Sequence, residues 1–291
     1  MKQNKIIGAL YLSFAASIWG GMFVIVKDIV GQISPIQLVW LRYLVAAPVL
    51  LLFCLVMRID WHWRKQDVGL MILIGLIGNT LSIVTQETGT WLSSAQLGSV
   101  VTAATPAFMV LFSWGLLKVR PTRGDWLSLI FAMLGVICIV GLSFSGRGVL
   151  LGALMLMIAA LTWALMSVLI RKVSPDVNAL QVTLVGVLVA LITLTPWVLM
   201  HAQVLAGVNF FSLHVGLSLL YLGAISTASA FVMWNVGFRK MASNLSGLFF
   251  LFQPIVGALL GSVFLGENLG IGFVLGTVMI GVSIIVAVKV Q

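Results

Sequence analysis

The segment SAQLGSVVTAATPAFMVLFSWGLL, residues 94–117, has a counterpart 148 residues further along the chain, ASNLSGLFFLFQPIVGALLGSVFL, residues 242–265. Both copies carry a proline at their thirteenth position, Pro106 and Pro254. A duplication of this length predicts that the chain consists of two related halves. How the halves are oriented depends on how many helices each contains.

The composition is that of a membrane protein. The chain is 61% hydrophobic and 8% charged, with a mean hydropathy of +1.19, whereas a soluble domain carries roughly 25% charged residues. Ten spanning helices of about 20 residues each are predicted from long stretches that contain no Asp, Glu, Lys or Arg, or in one case a single arginine. One stretch is long enough for two helices, with a break marked by Pro196 and His201. The stretches are residues 6–26, 35–57, 68–86, 88–117, 126–146, 148–170, 177–238, 241–266 and 268–288.

The two halves, 1–146 and 147–291, each contain five of these predicted helices. Because five is odd, the halves enter the bilayer in opposite orientations. The predicted fold is therefore an all-α integral membrane protein with ten transmembrane helices in two inverted five-helix repeats. Such repeats are typical of secondary transporters, which bind their solute between the repeats near the bilayer midplane.

Basic residues in the loops predict the orientation. With both termini in the cytoplasm, thirteen Lys and Arg residues lie inside, and only Lys27 and Arg147 lie outside. This bias follows the positive-inside rule and accounts for the net charge of +9. The charge is therefore no evidence for nucleic-acid binding. Residues 1–26 are interpreted as a retained first helix, because no small-residue cleavage site ends the apolar run before Lys27.

A series of short motifs lies along both halves: Trp19-Gly20-Gly21, Phe23, Lys27, Leu41-Arg42-Tyr43, Gly266-Glu267-Asn268, Gly276 and Gly281-Val282. In these motifs the chain resembles the EamA domain family of the drug/metabolite transporter superfamily. The resemblance covers nearly the whole chain as two tandem domains. It departs from the pattern after the fourth helix, where Lys118-Val119 stands in place of Gly-Glu.

The resemblance implies ten helices in two inverted five-helix repeats and a central cavity lined mainly by helices 1, 3, 4, 6, 8 and 9. It also implies export of small metabolites such as amino acids. The expected location is the plasma membrane, the inner membrane of a bacterial cell.

Arg42 is interpreted as the only formal charge inside a predicted span. An intramembrane arginine is a functional candidate, and its guanidinium suits a solute carboxylate. Two structural alternatives remain open, since the side chain can extend outward to the interface or cap carbonyls of a neighbouring helix. Glu87 and Glu267 are placed at the outer ends of helices, so the sequence predicts no central carboxylate for proton antiport. Glu87, at a helix mouth, stays open as a candidate for ion coupling.

Polar and aromatic residues at helical spacing supply the other candidates for a solute-binding site. Their alternative role is hydrogen bonding between helices. Pro106 and Pro254 each free a backbone carbonyl four residues earlier, which suggests backbone that lines a cavity. The candidate solute-binding residues are Trp19, Arg42, Asn79, Gln86, Thr102, Thr105, Trp163, Ser229, Trp234, Phe249 and Gln253.

The predicted function is export of small polar metabolites, such as amino acids, related zwitterions or organic acids, by alternating access. A drug or lipid translocase on the same fold is the alternative. An intramembrane enzyme is disfavoured because the three histidines are scattered, and no catalytic residue, metal site or cofactor is predicted. The expected partners are a small-molecule solute and the lipid bilayer. Small-residue motifs at Gly257-x-x-x-Gly261 and Gly272-x-x-x-Gly276 suit either helix packing within the chain or a homodimer.

Overall fold

A computed structural model describes residues 2–61, 63–140, 147–241, 243–266 and 271–289. Within these ranges the chain is helical, and it forms ten long helices joined by short loops. A single extra turn, Gln203–Ala206, lies between the seventh and eighth. The long helices are α1 (Lys2–Ile29), α2 (Pro35–Val56), α3 (Lys65–Leu92), α4 (Ala95–Leu117), α5 (Arg123–Val140), α6 (Arg147–Ile170), α7 (Ala179–Met200), α8 (Leu213–Lys240), α9 (Ser246–Phe264) and α10 (Ile271–Lys289).

Eight of these helices are long and apolar enough to cross a membrane. The other two, α5 and α10, have 18 and 19 residues and pack against each other. Their crossing of the bilayer, and so the count of ten spans, stays a prediction. Large apolar side chains such as Leu52, Ile192 and Val263 lie exposed on the outer surface of the helices. A surface of this kind suits contact with lipid.

The helix contacts show the relation between the two repeats. Helix α1 packs against α8 and α9, and its counterpart α6 packs against α3 and α4. The equivalent helices α2 and α7 pack against each other, as do α5 and α10. Each repeat therefore completes the packing of the other, as expected of tandem repeats related by a two-fold axis.

Breaks in the helices also occur in pairs. A π-helical segment interrupts α3 at Gly75–Ser82, and another interrupts α8 at Tyr221–Ser229. Short 3₁₀ segments precede the two mid-helix prolines, Thr102–Ala104 in α4 and Phe249–Leu251 in α9. Wide and tight turns of this kind often lie at functional sites in helices. In both repeats they bring irregular backbone to the centre of the bundle.

The prediction that Pro106 exposes the Thr102 carbonyl to a cavity needs a correction. The Thr105 hydroxyl donates to that carbonyl oxygen at 2.5 Å, and the Thr105 backbone N–H also bonds to it. Local 3₁₀ geometry lets these groups reach back by three residues. The freed carbonyl is therefore satisfied within α4.

Two basic side chains donate hydrogen bonds to backbone carbonyls at the C-terminal ends of the equivalent helices α3 and α8. The Lys27 ammonium, at the end of α1, donates to the carbonyls of Trp91 and Ser93 at 3.0 and 2.6 Å. Arg171, which follows α6, donates to the carbonyls of Phe238 and Met241 at the end of α8. Burial lowers the pKa of Arg171 to about 10, so it stays charged at neutral pH. Each cation satisfies carbonyls that the helix end leaves open.

Close glycine contacts hold the repeats together at opposite ends of the bundle. A Cβ atom added to Gly237 of α8 would lie 2.9 Å from the Gly8 carbonyl oxygen of α1. A Cβ atom added to Gly152 of α6 would lie 2.9 Å from the Gly89 carbonyl oxygen of α3. By the predicted orientation, the first contact is at the cytoplasmic end and the second at the outer end.

The small-residue motifs serve contacts within the chain. A Cβ atom on Gly257 would meet Ser99 of α4 at 2.8 Å, and one on Gly272 would collide with the Cys138 carbonyl of α5. Neither glycine therefore needs a second subunit to explain it. The homodimer stays a prediction. Glu267, the other glutamate considered above, lies outside the described residues.

Candidate functional site

A small cavity lies where the two repeats meet. Its volume is about 10 Å³, roughly enough for one water molecule. Helices α1 and α3 of the first repeat and α6, α8 and α9 of the second surround it. The lining side chains are Trp19, Met22, Ile83, Gln86, Trp163, Phe231, Phe250 and Gln253.

An aromatic cluster fills most of this junction. The Trp19 ring lies 5.2 Å from Trp163, 5.3 Å from Trp234, 5.6 Å from Phe250 and 5.7 Å from Phe231, measured between ring centroids. Tilted and edge-to-face pairs at these distances are favourable aromatic contacts. The two tryptophans that occupy equivalent positions in the repeats therefore meet at the centre of the molecule.

The two central tryptophans differ in their hydrogen bonding. Trp19 donates from Nε1 to the Ser226 carbonyl in the π-helical segment of α8, at 2.9 Å. The Nε1 of Trp163 is buried and has no partner among the described residues. A buried indole N–H usually finds an acceptor. Trp163 thus offers an unused donor at the edge of the cavity.

Two amide side chains supply the other polar groups of the cavity. Gln253 is buried beside Pro254, and its Oε1 accepts from the Thr102 hydroxyl at 3.2 Å. Gln86 of α3 also lines the cavity, with its Nε2 3.9 Å from the Met22 sulfur. A primary amide both donates and accepts hydrogen bonds, so this pair suits a neutral or zwitterionic solute.

A second cavity of about 10 Å³ shares the Trp163 side chain. Asn79, Thr183 and Asn235 give it a polar lining, and Asn235 Nδ2 donates to Thr183 Oγ1 at 2.7 Å. Since the residues that line it come from α3, α6, α7 and α8, this space is also formed by both repeats.

A fully buried ion pair lies beside the first cavity. Arg42 of α2 donates from Nη1 to Glu87 Oε1 of α3 at 2.6 Å, and the two side chains are 0% and 1% exposed. Arg42 also donates to the hydroxyls of Thr227 and Ser226 in α8, at 2.8 and 3.1 Å. Its Nη2 lies 3.4 Å from the sulfur of Met22, which lines the cavity. One guanidinium therefore links both repeats.

The close approach of α8 to Arg42 depends on a glycine. A Cβ atom added to Gly223 would lie 2.7 Å from the Arg42 carbonyl oxygen. The neighbouring Tyr43 donates its hydroxyl to the Asn79 carbonyl at 2.6 Å. The π-helical segments of α3 and α8 thus both contact this part of α2.

This ion pair corrects two predictions. The interpretation of Arg42 as the only charge inside a span was wrong, and so was the placement of Glu87 at the outer end of a helix. Helix α3 continues to Leu92, so Glu87 lies five residues inside it. The charge-free stretch 68–86 stopped at Glu87 only because a charge was taken as the limit of the span. Complete burial also rules out the alternative in which Arg42 extends outward.

Family models agree with this architecture. The model of the EamA-like transporter family matches residues 6–141 and again 150–289. The chain belongs to the EamA-like transporter family. It is therefore a multi-pass membrane transporter built from two EamA domains, and the resemblance stated above is confirmed.

Several transporters are similar to this chain over most of their length. An uncharacterized transporter of Archaeoglobus fulgidus is 25% identical over 95% of this chain and 98% of its own. YetK of Bacillus subtilis, an uncharacterized transporter, is 26% identical over 96% of this chain and 88% of its own. YedA of Escherichia coli K12, an uncharacterized inner membrane transporter, is 26% identical over 91% and 84%. One solved crystal structure has the same fold, with a TM-score of 0.75, 19% identity and coverage of 97% of this chain and 96% of that one.

Among the predicted site residues of this EamA-like transporter, four line the first cavity: Trp19, Gln86, Trp163 and Gln253. Asn79 lines the second cavity. Arg42 contacts Met22 and Thr102 contacts Gln253, two side chains that line the first cavity. The remaining four lie elsewhere. Trp234 bonds to Ser167 from the aromatic cluster, Thr105 and Ser229 bond to their own helices, and Phe249 stacks on Phe252.

Four lining residues were missed by the sequence analysis: Met22, Ile83, Phe231 and Phe250. All are apolar, and an apolar residue in a membrane helix carries no signal that separates a cavity from lipid. The sequence analysis selected Phe249, whereas Phe250 lines the cavity. Helix geometry explains this difference. The 3₁₀ segment Phe249–Leu251 turns the helix more per residue than α-helical spacing assumes, which moves the cavity face by one position.

A wider groove lies between α1, α8 and α9. It has a volume of about 390 Å³ and lies at the end of α1 that is predicted to face outside. Asp28 at its rim contacts His214 at 2.9 Å, and both side chains are about half exposed. The groove is lined by Gly21, Val24, Ile25, Asp28, Tyr221, Leu260 and Phe264.

Proposed function

We propose that this EamA-like transporter exports small polar metabolites, such as amino acids, related zwitterions or organic acids, by alternating access. The observation that carries the proposal is the cavity formed jointly by both repeats, lined by aromatic side chains and by the amides of Gln86 and Gln253. Solutes of secondary transporters bind where the repeats meet. An aromatic wall suits an apolar group of the solute, and the amides suit its polar groups.

The small size of the cavity supports a moving mechanism. A space of about 10 Å³ holds no metabolite, so solute entry requires the repeats to separate. The contacts to be broken and remade are those that link the repeats, including Trp19 with Ser226 and Arg42 with Thr227.

The proposed orientation in the membrane rests on charge, since thirteen basic loop residues against two support cytoplasmic termini. The plasma membrane and the outward direction are what the resemblance to EamA-domain transporters implies. Release to the outside then completes the cycle.

Metabolite profiling of the culture medium tests this function. Cells that express the wild type are compared with an empty vector, with Gln253→Leu, and with Leu199→Ala, a control on the exposed surface of α7. We expect one class of solute to accumulate outside for the wild type and the control, and not for Gln253→Leu. Equal profiles for the vector and for a well-expressed wild type would contradict export.

Trp19 and Trp163 differ in the hydrogen bonding of their indole N–H groups, so the same substitution should affect stability differently at the two positions. Trp19→Phe and Trp163→Phe remove a similar volume of ring, but only Trp19 loses a hydrogen bond. Trp19→Phe should therefore lower the free energy of unfolding by about 0.6 kcal/mol more than Trp163→Phe. If the free N–H of Trp163 binds the solute, Trp163→Phe weakens solute affinity roughly three- to tenfold. Unfolding in mixed SDS and dodecyl maltoside measures the first effect, and transport kinetics measure the second.

Equal destabilisation by the two substitutions would contradict the assigned hydrogen bond. Unchanged solute affinity in Trp163→Phe would remove Trp163 from the binding site and leave the Gln253 test unaffected.

The wider groove between α1, α8 and α9 supports a second candidate function, translocation of an amphipathic drug or lipid. A lipid path requires an opening between helices, and the groove between α1, α8 and α9 is such an opening. Leu260→Trp would fill it without touching the central cavity. Loss of export of an amphipathic cationic dye in Leu260→Trp, with metabolite export retained, would favour this second function.

A further inference from the structure

The Arg42–Glu87 pair is a fully buried pair of charges beside the first cavity. Charged side chains at such depth mark solute or ion pathways. Glu87 is also incompletely bonded, since its Oε1 accepts from Arg42 while its buried Oε2 has no partner among the described residues. A buried carboxylate oxygen without a donor among the described residues is a ready acceptor for an incoming N–H or proton.

The pair is close to the cavity. Gln86 lines the cavity and precedes Glu87 in α3, while Met22 lines the cavity and contacts Arg42. Methionine has three flexible side-chain bonds and adapts its shape easily. Met22 therefore lies between the cavity and the ion pair and contacts both.

Charge balance limits which solutes can use this site. A solute carboxylate that takes Arg42 away from Glu87 leaves a bare carboxylate in a region of low dielectric constant, which is strongly unfavourable. The solute avoids this cost if its own ammonium group pairs with Glu87. A solute without an amine avoids it only if a proton binds to Glu87.

We propose that Arg42 and Glu87 form a charge-exchange site that sets the proton coupling of transport, an inference that rests on the proposed function. A zwitterionic solute opens the pair, with its carboxylate on Arg42 and its ammonium on Glu87, and moves without a proton. A simple carboxylate binds Arg42 together with one proton, which forms an O–H bond at Glu87 Oε2. That proton comes from the side on which the solute enters and leaves with the solute on the other side.

Few other titratable groups lie near Glu87. From the packed elements these are Arg42 and Tyr43 of α2, Lys27 and Asp28 near the end of α1, and Tyr221 of α8. Helix α4 and the span 148–170 of α6 contain no Asp, Glu, Lys, Arg, His or Tyr. Lys27 is bonded to helix-end carbonyls and Asp28 contacts His214. Glu87 is thus the carboxylate placed to receive the proton.

Matched ligands test the proposal without knowledge of the natural solute. The probes are leucine and phenylalanine, their deaminated acids 4-methylpentanoate and 3-phenylpropanoate, and the amines 3-methylbutylamine and 2-phenylethylamine. Binding to purified protein in nanodiscs is measured as thermal stabilisation between pH 5.5 and pH 8. For the wild type we expect a zwitterion affinity that does not change with pH. The acids should bind more weakly as the pH rises, with the loss approaching tenfold per unit once Glu87 is fully ionised in the free protein, because one proton is then taken up with each acid. The amines should not bind.

Glu87→Gln provides the diagnostic variant. It removes the Glu87 carboxylate, which competes with a solute carboxylate for Arg42. The acids should therefore bind at every pH, and the zwitterions should no longer bind more tightly than the acids at high pH. A purely structural role would instead weaken all ligands together. The double variant Arg42→Gln/Glu87→Gln, which retains polar groups of similar shape, should bind none of the charged probes.

Three results would overturn the proposal: no zwitterion binding to the wild type, acid binding that ignores pH, or a Glu87→Gln variant with unchanged ligand preference. These are separate from the proposed function. Metabolite export that persists in Glu87→Gln with wild-type pH dependence would reject the charge-exchange site and leave export intact.

Discussion

Arg42→Met is expected to destabilise the protein by about 3 to 5 kcal/mol, because it leaves the Glu87 carboxylate charged and unpaired in the bundle interior. The Thr227 and Ser226 hydroxyls lose their donor in the same variant. Loss of one partner of a buried pair is costly even when the pair itself adds little net stability. Equilibrium unfolding in mixed SDS and dodecyl maltoside micelles measures the effect.

The double variant Arg42→Met/Glu87→Leu is the control. It replaces both charges with apolar groups of similar size, and most of the lost stability should return. Measured together with the single Glu87→Leu variant, it completes a double-mutant cycle for the pair. Equal instability of the single and double variants would show that side-chain packing, and not charge pairing, is the main contribution of Arg42.

Gly152→Leu and Gly237→Leu are expected to bias the transporter toward opposite open states. Each new Cβ atom would lie 2.9 Å from a glycine carbonyl of the facing helix, which is too close for either contact to survive. Gly152→Leu separates α3 from α6 at the predicted outer end, and Gly237→Leu separates α1 from α8 at the predicted cytoplasmic end. A population held in one state cannot cycle, so export should fall more than tenfold in both.

A cysteine at position 253 reports the bias. In a background with Cys54→Ser and Cys138→Ser, Gln253→Cys should react with a membrane-impermeant thiol reagent from outside in Gly152→Leu. It should react from the cytoplasmic side in Gly237→Leu. Gly31→Leu is the matched control, because a Cβ atom there has no neighbour within 4 Å. Labelling from the same side in both variants would contradict the assignment of the two glycine contacts to opposite gates.

The EamA domains, the helical membrane fold and most helix positions could be predicted from the sequence. The reason is that hydropathy and loop charge are properties of single segments and need no knowledge of neighbours. The proline-centred duplication likewise indicated the repeat before any contact was known. Large polar or aromatic residues such as Trp19, Gln86 and Gln253 could be proposed for the centre because they are costly or conspicuous in lipid.

Only the tertiary structure decided which residues meet. Glu87 pairs with Arg42 across 45 positions of sequence, and a glutamate near the end of an apolar stretch gives no sign of its partner. The lining residues Phe250 and Phe231 depend on 3₁₀ and π segments, which rotate the following residues away from the faces that regular α-helical spacing predicts. Sequence determined the class of molecule because burial in lipid acts on each helix alone. Structure decided the site because a site consists of contacts between helices.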